Sequence, residues 1–453
     1  MDSKRSSFTG KIGFVLAAAG SAVGLGNIWR FPYLAAKYGG GIFLLVYIAL
    51  SVTFGFSLMV AEIAIGRKTG KSAIEAFGSL DKRFSFVGWL AAAVPIIILP
   101  YYSVIGGWVA KYFTGFLTGS ADAMAESSYF GNYIGGTWQP LLWFALFIGI
   151  TAIIVLFGVE KGIEKVSKVM MPVLILLTAF IAIYTICSMD GAWGGVKYYI
   201  LPDFSKFSIM TVVAAMGQLF YSMSLAMGIM ITFGSYMKKE ISIEKSAKQI
   251  EIFDTGVAFL AGLMIIPAVF AFSGGDEAAL AQKGAGLMFE TLPAVFHTMP
   301  GGTVIGVFFF FMVLLAALTS SISLMETIVS IFMDKFKLGR KTSCLVVLGI
   351  SLLIGVPASL GYSAWSGVKI LGMQFLDLFD FVSNSIMMPI IAFATCLFVA
   401  FFLKPKTVTA EIEISGKFKW KKLFEIVIKY VAPVCILAIL TSSILDAFGV
   451  VKI

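Results

Sequence analysis

Long runs of apolar residues, separated by short polar connectors, make up most of this 453-residue chain. Eleven of these runs are long enough to cross about 30 Å of hydrocarbon as helices. They lie at approximately 11–36, 41–66, 87–115, 140–158, 166–188, 208–236, 249–273, 303–333, 343–362, 370–403 and 424–446. The connectors are too short for an independent soluble domain. The pattern therefore predicts an all-α polytopic membrane protein with eleven transmembrane helices in one domain, residues 1–453.

The first apolar run contains residues that a lipid-facing helix rarely carries. Positions 20–32 read GSAVGLGNIWRFP, with three glycines, Asn27 and Arg30. Glycine costs about 1 kcal/mol against alanine inside a helix, and an arginine near the bilayer centre costs about 2.5 to 3.5 kcal/mol. Gly20 and Gly24 alone would equally suit a packing face between helices. The polar residues that follow favour a broken helix whose backbone groups line a cavity.

The sixth run is interrupted in a similar way. Positions 216–228 read MGQLFYSMSLAMG, which places Gln218, Ser222 and Ser224 among apolar residues. Two broken helices five spans apart are typical of inverted repeats, here about 11–188 and 208–403, followed by an extra helix at about 424–446. Half-helix N-termini suit a carboxylate and C-terminal carbonyls suit Na⁺. The pattern indicates a transporter with its site where the breaks meet.

Composition and charge agree with a membrane location. The chain is 59% hydrophobic and 13% charged, with a mean hydropathy of +0.95. Its net charge of +9 does not indicate a nucleic-acid partner, because most of the 34 Lys and Arg fall on one side of the predicted helices. The positive-inside rule then predicts a plasma-membrane protein with a cytoplasmic N-terminus and an extracellular C-terminus. The expected partners are the lipid bilayer and a small solute, with no sign of an obligatory protein partner.

The sequence contains no group of residues typical of a catalytic site. The chain has a single histidine, His297, and four cysteines without paired spacing. Neither a zinc site nor a disulfide framework is supported, and no nucleophile is paired with a base. We therefore do not expect an enzyme.

Several long motifs carry a resemblance to a known family. They are GSAVGLGNIWRFP, the GGG at 39–41, the tyrosine pair at 101–102, GQLFYSMSLAMG, and ALTSSISLME at 317–326. With them the chain resembles bacterial amino-acid members of the neurotransmitter:sodium symporter family, which have the leucine-transporter fold. The similarity extends from Arg5 to Asp380. It implies sodium-coupled secondary active uptake of an amino acid by alternating access, and it leaves open a sensor or channel on the same fold.

The resemblance implies two sodium sites built from oxygen ligands. The first would comprise Ala22, Asn27, Ser222 and Asp254, next to the substrate carboxylate. The second would comprise Gly20, Val23, Ala316, Thr319 and Ser320. Since both sets look complete, we expect two sodium ions per substrate. A tenfold sodium gradient with about 100 mV supplies about 3.7 kcal/mol per ion, which sustains roughly several-hundred-fold accumulation for one ion and about 10⁵-fold for two.

The resemblance also implies a substrate pocket. Its expected residues are Ser21, Ala22, Leu25, Gly26, Ile98, Tyr102, Tyr221, Ser222, Ser224, Met227, Ser320 and Leu324. The Tyr102 hydroxyl would donate to the carboxylate. Monoamine carriers of the family have an aspartate where this chain has Gly24, so we expect an α-amino acid substrate. Met227 stands where the family often has phenylalanine, which favours a large hydrophobic or aromatic neutral L-amino acid.

Asp254 bears on the chloride requirement. Many family members have a neutral asparagine here, and chloride-independent ones carry a glutamate one helical turn later, where this chain has Ala258. Residues four apart share a helix face, so a fixed carboxylate is retained at the site. We expect no chloride requirement. Loss of sodium would leave an isolated carboxylate that favours proton uptake, so proton counter-movement is a further hypothesis.

The resemblance assigns gates on both sides of the site. Arg30 and Asp380 would form the outer gate, and Arg5 and Asp334 the inner gate. Phe8 occupies an inner position usually held by tryptophan. Gly162 and Pro172 frame a stretch that the family unwinds, although an ordinary proline kink fits the same pattern. Glu62 is expected to accept amides that the sixth-span break leaves free.

Overall fold

The computed structural model describes residues 7–275 and 285–447. Over this part of the chain the structure is helical, and its extended pairings are two isolated bridges, Gly40 with Pro202 and Ile370 with Met373. The predicted all-α class is confirmed.

Thirteen helices and half-helices form the membrane part. They are α1 (Lys11–Ala22), α2 (Gly26–Lys37), α3 (Gly41–Thr69), α4 (Lys82–Leu117), α5 (Trp138–Leu156), α6 (Val159–Ser188), α7 (Ile209–Ser222), α8 (Ile229–Ser235), α9 (Ile243–Phe272), α10 (Gly302–Phe336), α11 (Arg340–Leu360), α12 (Phe375–Phe402) and α13 (Lys421–Leu445). Shorter helices occupy the connectors, at Ala73–Leu80, Ala121–Met124, Ser127–Ile134, Ala192–Ile200, Leu292–Thr298 and Pro405–Glu413.

Within the described residues, nine helices are each long and apolar enough to cross a membrane. The bent pair α1 and α2 gives a tenth span. The predicted sixth span is divided into α7 and α8, and each of these is too short to cross alone. The expected total of eleven is therefore reached only if α7 and α8 together count as one span.

The break between α1 and α2 lies at Val23–Leu25. Val23 leaves the helical conformation with φ −74° and ψ 100°, and the two half-helices meet at an angle of 54°. The side-chain oxygen of Asn27 accepts a hydrogen bond from the Gly24 amide at 3.0 Å. A Cβ at Gly24 would lie 2.6 Å from the Ser320 hydroxyl oxygen. A larger residue here would therefore require the Ser320 side chain of α10 to shift.

The break between α7 and α8 is held in left-handed backbone. Ser224, Ala226 and Gly228 have φ values of 53°, 60° and 73°. A left-handed conformation costs about 1 to 2 kcal/mol for a residue with a Cβ. The buried Glu62 of α3 accepts a hydrogen bond from the Ala226 amide at 2.8 Å, which is the contact expected from the sequence. This hydrogen bond offsets part of the strain.

The two breaks are surrounded by long helices. α1 packs against α6, α9 and α10, whereas α7 packs against α3. The interrupted stretches are therefore shielded from lipid by other helices, the setting in which irregular backbone is tolerated at membrane depth.

Candidate functional site

The breaks in the two interrupted helices border one small cavity. All residues that the sequence predicts for substrate contact line it, together with Gly24 and Ile229. Its full lining is Ser21, Ala22, Gly24, Leu25, Gly26, Ile98, Tyr102, Tyr221, Ser222, Ser224, Met227, Ile229, Ser320 and Leu324. The cavity has a volume of about 30 Å³, which is room for about two water molecules. The sequence analysis missed Ile229, although its place directly after Gly228 at the start of α8 marks it as a residue next to the break.

Polar contacts cross this cavity between the broken helices. The hydroxyls of Ser21 and Ser224 lie 3.1 Å apart, and the Ser224 hydroxyl also donates to the Ser21 carbonyl at 3.0 Å. From α4, the Tyr102 hydroxyl accepts a hydrogen bond from the Leu25 amide at 3.4 Å. The Tyr102 hydroxyl therefore lies against an amide that the α1–α2 break frees, where a ligand carboxylate could meet both groups.

A fully buried polar cluster lies beside the cavity. The Asn27 amide nitrogen donates to one carboxylate oxygen of Asp254 at 2.7 Å and to the Ser222 hydroxyl at 3.1 Å. The Ser222 hydroxyl donates to the same Asp254 oxygen at 2.6 Å. These three side chains are at most 1% exposed. With Ala22, which lines the adjoining cavity, they are the residues that the sequence assigns to the first sodium.

The structure adds Tyr47 to this cluster. Its hydroxyl, fully buried on α3, lies 3.3 Å from the second carboxylate oxygen of Asp254 and 3.3 Å from the Ser222 hydroxyl. The sequence analysis missed Tyr47, because a tyrosine in an apolar run gives no signal of the helix it will face. Every carboxylate oxygen of Asp254 thus has a polar partner, and a cation that bound here would find oxygen atoms from four helices.

A second group of oxygen atoms lies where α10 meets the end of α1. The Ser320 hydroxyl is 3.5 Å from the Gly20 carbonyl oxygen and 3.4 Å from that of Val23. The Thr319 hydroxyl donates within its own helix, to the Ala316 carbonyl at 3.1 Å, which is the ordinary hydrogen bonding of a threonine in a helix. A Cβ at Gly20 would lie 3.2 Å from the Thr319 Cβ, so α1 and α10 are in close contact here. The structure therefore brings together all five residues that the sequence assigns to the second sodium.

Arg30 and Asp380 lie on the wall of a second, larger cavity of about 600 Å³. No ion pair joins these two residues. The Arg30 guanidinium instead lies 5.2 Å from the centre of the Tyr221 ring, and Asp380 accepts hydrogen bonds from Tyr101 and Asn384. Tyr221 lines both cavities. Its ring thus separates the small cavity from the large one.

The opposite side of the small cavity is closed by tight packing. Phe8 is fully buried, its amide donates to the Tyr236 carbonyl at 3.2 Å, and its ring packs edge-on against Phe14 and Phe233. Asp334 accepts a hydrogen bond from the Ser72 amide at 2.7 Å. Its expected partner Arg5 lies outside the described residues.

The stretch from Gly162 to Pro172 is helical in this structure. α6 begins with a π-helical segment, Val159–Glu164, and Pro172 lies inside the α-helix that follows. A Cβ at Gly162 would lie 2.2 Å from the Ile154 carbonyl oxygen. The glycine is therefore required where α6 turns back against α5. Unwinding of this stretch stays a prediction.

Comparison with known proteins places this architecture in a family. A family model described as the sodium:neurotransmitter symporter family matches residues 5–127 and 134–450. A sodium-dependent transporter of Bacillus subtilis (strain 168), YhdH, is 34% identical over 98% of both chains. One from Methanocaldococcus jannaschii is 33% identical over 86% of this chain and 80% of its own.

A solved structure is similar over nearly the whole chain. The crystal structure of MhsT in complex with L-phenylalanine has a TM-score of 0.88 and 35% sequence identity, and it covers 97% of this chain and 100% of the MhsT chain. The helices, the paired breaks and these similarities agree with one another, and they agree with the leucine-transporter fold expected from the motifs. The chain is a multi-pass membrane transporter, not an enzyme, and it belongs to the sodium:neurotransmitter symporter family.

Proposed function

We propose that this transporter takes up a neutral L-amino acid with a large hydrophobic or aromatic side chain, coupled to two sodium ions and without a chloride requirement. The observation that carries the proposal is the meeting of two helix breaks at one cavity, with an oxygen cluster on each side of it. Free amides and hydroxyls at the breaks suit a substrate carboxylate. The oxygen clusters suit a hard cation.

The carboxylate end of the substrate would lie against Gly24 and Tyr102. A side chain at Gly24 would meet the Tyr102 hydroxyl oxygen at 3.1 Å, so the glycine keeps this space open. Sodium in the first cluster, coordinated by Ala22, Asn27, Ser222 and Asp254, would sit beside the carboxylate and neutralise it. This arrangement makes substrate and sodium bind together, which is the physical basis of symport.

The side chain of the substrate would lie among Ile98, Met227, Ile229 and Leu324. These residues are apolar and buried, and methionine adapts its shape to different ligands. The cavity as it stands admits about two waters, so a large substrate requires the Tyr221 ring and the Met227 side chain to move. MhsT, whose structure contains L-phenylalanine, supports an aromatic substrate by similarity.

Asp254 supplies the negative charge that would make chloride unnecessary. Its carboxylate is fixed by Asn27, Ser222 and Tyr47 on α2, α7 and α3. A fixed anion next to a bound cation takes the place of a diffusible chloride ion.

The arrangement of lysines and arginines supports a cytoplasmic N-terminus, so the large cavity with Arg30 and Asp380 would open to the outside.

Binding and uptake by the purified protein test this proposal. A panel of the twenty amino acids competes for sodium-dependent binding of labelled phenylalanine, and uptake is measured in proteoliposomes with an inward sodium gradient. We expect the large apolar amino acids to compete best and uptake to exceed the external concentration. Competition by charged or small amino acids alone would contradict the substrate class. Binding without accumulation would instead indicate a sensor.

A further inference from the structure

A buried carboxylate outside the two ion clusters connects the start of α6 with the segment before α1. Glu164, the last residue of the π-helical segment, is 1% exposed. Its side chain accepts a hydrogen bond from the Thr9 amide at 2.9 Å and a second from the Thr9 hydroxyl. Lys168 adds an ion pair at 2.7 Å. One carboxylate thus binds both the backbone and the side chain of a residue 155 positions away.

The same carboxylate is held against α1 itself. A Cβ at Gly13 would lie 2.2 Å from the Glu164 carboxylate carbon, so Glu164 occupies the space that a side chain on α1 would take. The carbonyl of Thr9 accepts a hydrogen bond from the Lys238 ammonium at 3.1 Å, which ties the segment to the region after α8. Thr9 is therefore a junction between α1, α6 and the connector that follows α8.

The backbone at the start of α6 departs from regular α-helical geometry. Gly158 precedes it with φ 87°, and the first turn is π-helical, a geometry frequent at functional sites. Alternating access moves one group of helices against another around the site, so the half-helix α1 must change its contacts with neighbouring helices. Glu164 accepts two hydrogen bonds from Thr9 and lies against Gly13. The half-helix α1 therefore cannot move away from α6 without breaking the two hydrogen bonds.

We propose that Glu164 is a positioning residue that makes the first turn of α6 and the segment before α1 open and close together. This inference rests on the proposed function, because it explains how sodium binding at α1 is communicated to α6. Sodium held by the Gly20 and Val23 carbonyls would fix α1, and Glu164 would transmit that constraint to Val159–Glu164.

Amide hydrogen exchange of the full-length protein measures the coupling directly, because exchange reports local opening. Two segments are followed, residues 7–13 and residues 159–168, with and without sodium. Glu164→Gln keeps the shape and removes the charge, and we expect exchange to rise about tenfold or more in both segments, since hydrogen bonds to a charged group are stronger than those to a neutral one. Glu160→Gln is the matched control, because Glu160 is an exposed carboxylate in the same turn, and we expect no change.

A second pair of variants tests the same contact from α1. Gly13→Ala would displace the Glu164 carboxylate and should reproduce the effect of Glu164→Gln. Gly10→Ala, where a Cβ would meet nothing within 4 Å, should behave as wild type. This pair decides the question if Glu164→Gln fails to fold.

The sodium dependence separates coupling from simple structural support. In the wild type, sodium should slow exchange in both segments. In Glu164→Gln it should still slow exchange in residues 7–13 but no longer in residues 159–168. A sodium effect that persists in both segments of the variant, or a variant that loosens one segment alone, would overturn the proposal. Absence of a sodium effect in the wild type would contradict the sodium sites, whereas the joint loosening by Glu164→Gln and Gly13→Ala would still support the link.

Discussion

At the scale of single residues, the site depends on a glycine that has no side chain and on a buried carboxylate. Gly24 has no side chain, and the space beside it is bordered by the hydroxyls of Tyr102 and Ser320. Asp254 has a charge that no lysine or arginine neutralises within the cluster; its partners are Asn27, Ser222 and Tyr47. A bare backbone and a fixed anion together favour a ligand carboxylate with a companion cation.

Gly24→Ala should weaken substrate binding. The added methyl group would lie 2.6 Å from the Ser320 hydroxyl oxygen and 3.1 Å from that of Tyr102, so it fills the proposed carboxylate position. We expect affinity for the amino acid to fall at least about tenfold, because a displaced charge-assisted hydrogen bond costs about 1.5 to 3 kcal/mol. Equilibrium binding of labelled substrate measures it.

Gly217→Ala is the matched control for that experiment. Gly217 lies in α7, and a Cβ there would meet nothing within 4 Å. The substitution should leave binding unchanged and stabilise the helix slightly. Unchanged binding in Gly24→Ala would show that the carboxylate lies elsewhere.

Asp254→Asn should weaken sodium binding without removing the hydrogen-bonding shape of the side chain. We expect the sodium concentration for half-maximal substrate binding to rise about tenfold or more, because the fixed negative charge is lost. Glu251→Gln is the control, since Glu251 is a second buried carboxylate on α9 that accepts a hydrogen bond from Ser51, outside the cluster. Substrate binding is measured over a range of sodium concentrations. If both variants and the wild type need the same sodium concentration for half-maximal binding, the proposed role of Asp254 is refuted.

At the scale of elements, the two breaks are stabilised differently. The α1–α2 break is formed around Gly24 and capped by Asn27, whereas the α7–α8 break places Ser224 and Ala226 in left-handed backbone. The second break therefore stores strain that the Glu62 carboxylate offsets by accepting the Ala226 amide. Strained backbone held by its surroundings is common where a protein binds a ligand.

Ala226→Gly should raise the thermal stability of the protein. Glycine adopts φ 60° without the cost of about 1 to 2 kcal/mol that a Cβ incurs. Ala214→Gly, inside α7, should lower stability by about 0.5 to 1 kcal/mol, because glycine there loses entropy without relieving strain. Thermal unfolding of the two variants in the same detergent should therefore shift the midpoint in opposite directions. A loss of stability in Ala226→Gly would mean that the left-handed backbone carries no strain.

The sequence predicts one of these breaks more fully than the other. GSAVGLGNIWRFP contains glycines and polar residues that disfavour an apolar helix, so the break can be inferred, whereas the hydrogen bond from the Gly24 amide to Asn27 is seen only in the structure. The conformations of Ser224 and Ala226 could not be inferred, because neither residue favours positive φ and only contacts from other helices impose it. Tyr47 illustrates the same limit: its role depends on α3 facing α7 and α9, which no local pattern in an apolar run specifies.

At the scale of the whole molecule, the two sides of the site differ. A cavity of about 600 Å³ reaches Tyr221 from the side of Arg30 and Asp380. On the other side Phe8, α1 and α8 are packed together. The structure thus has a large cavity on one side of Tyr221 and closely packed helices on the other side of the small cavity, an asymmetry that fits alternating access.

Uptake should not require chloride. The Asp254 carboxylate is part of the protein and is present in every medium, so replacing chloride by gluconate should leave the initial rate of sodium-driven uptake within about twofold of its value in chloride. The comparison uses proteoliposomes loaded and bathed in chloride-free buffer. Replacing sodium by choline is the control and should abolish uptake. Collapse of transport in gluconate would contradict the proposed role of the fixed carboxylate.

The most direct test of the central claim, that two helix breaks hold one amino acid with two sodium ions, is the balance of gradients at zero membrane potential. Proteoliposomes are clamped electrically with potassium and valinomycin, given a tenfold inward sodium gradient, and loaded with increasing internal substrate until net flux stops. Each tenfold sodium gradient contributes about 1.4 kcal/mol per coupled ion. Two coupled ions predict balance at an internal-to-external substrate ratio of about one hundred, and a balance at about ten or at one would contradict the account.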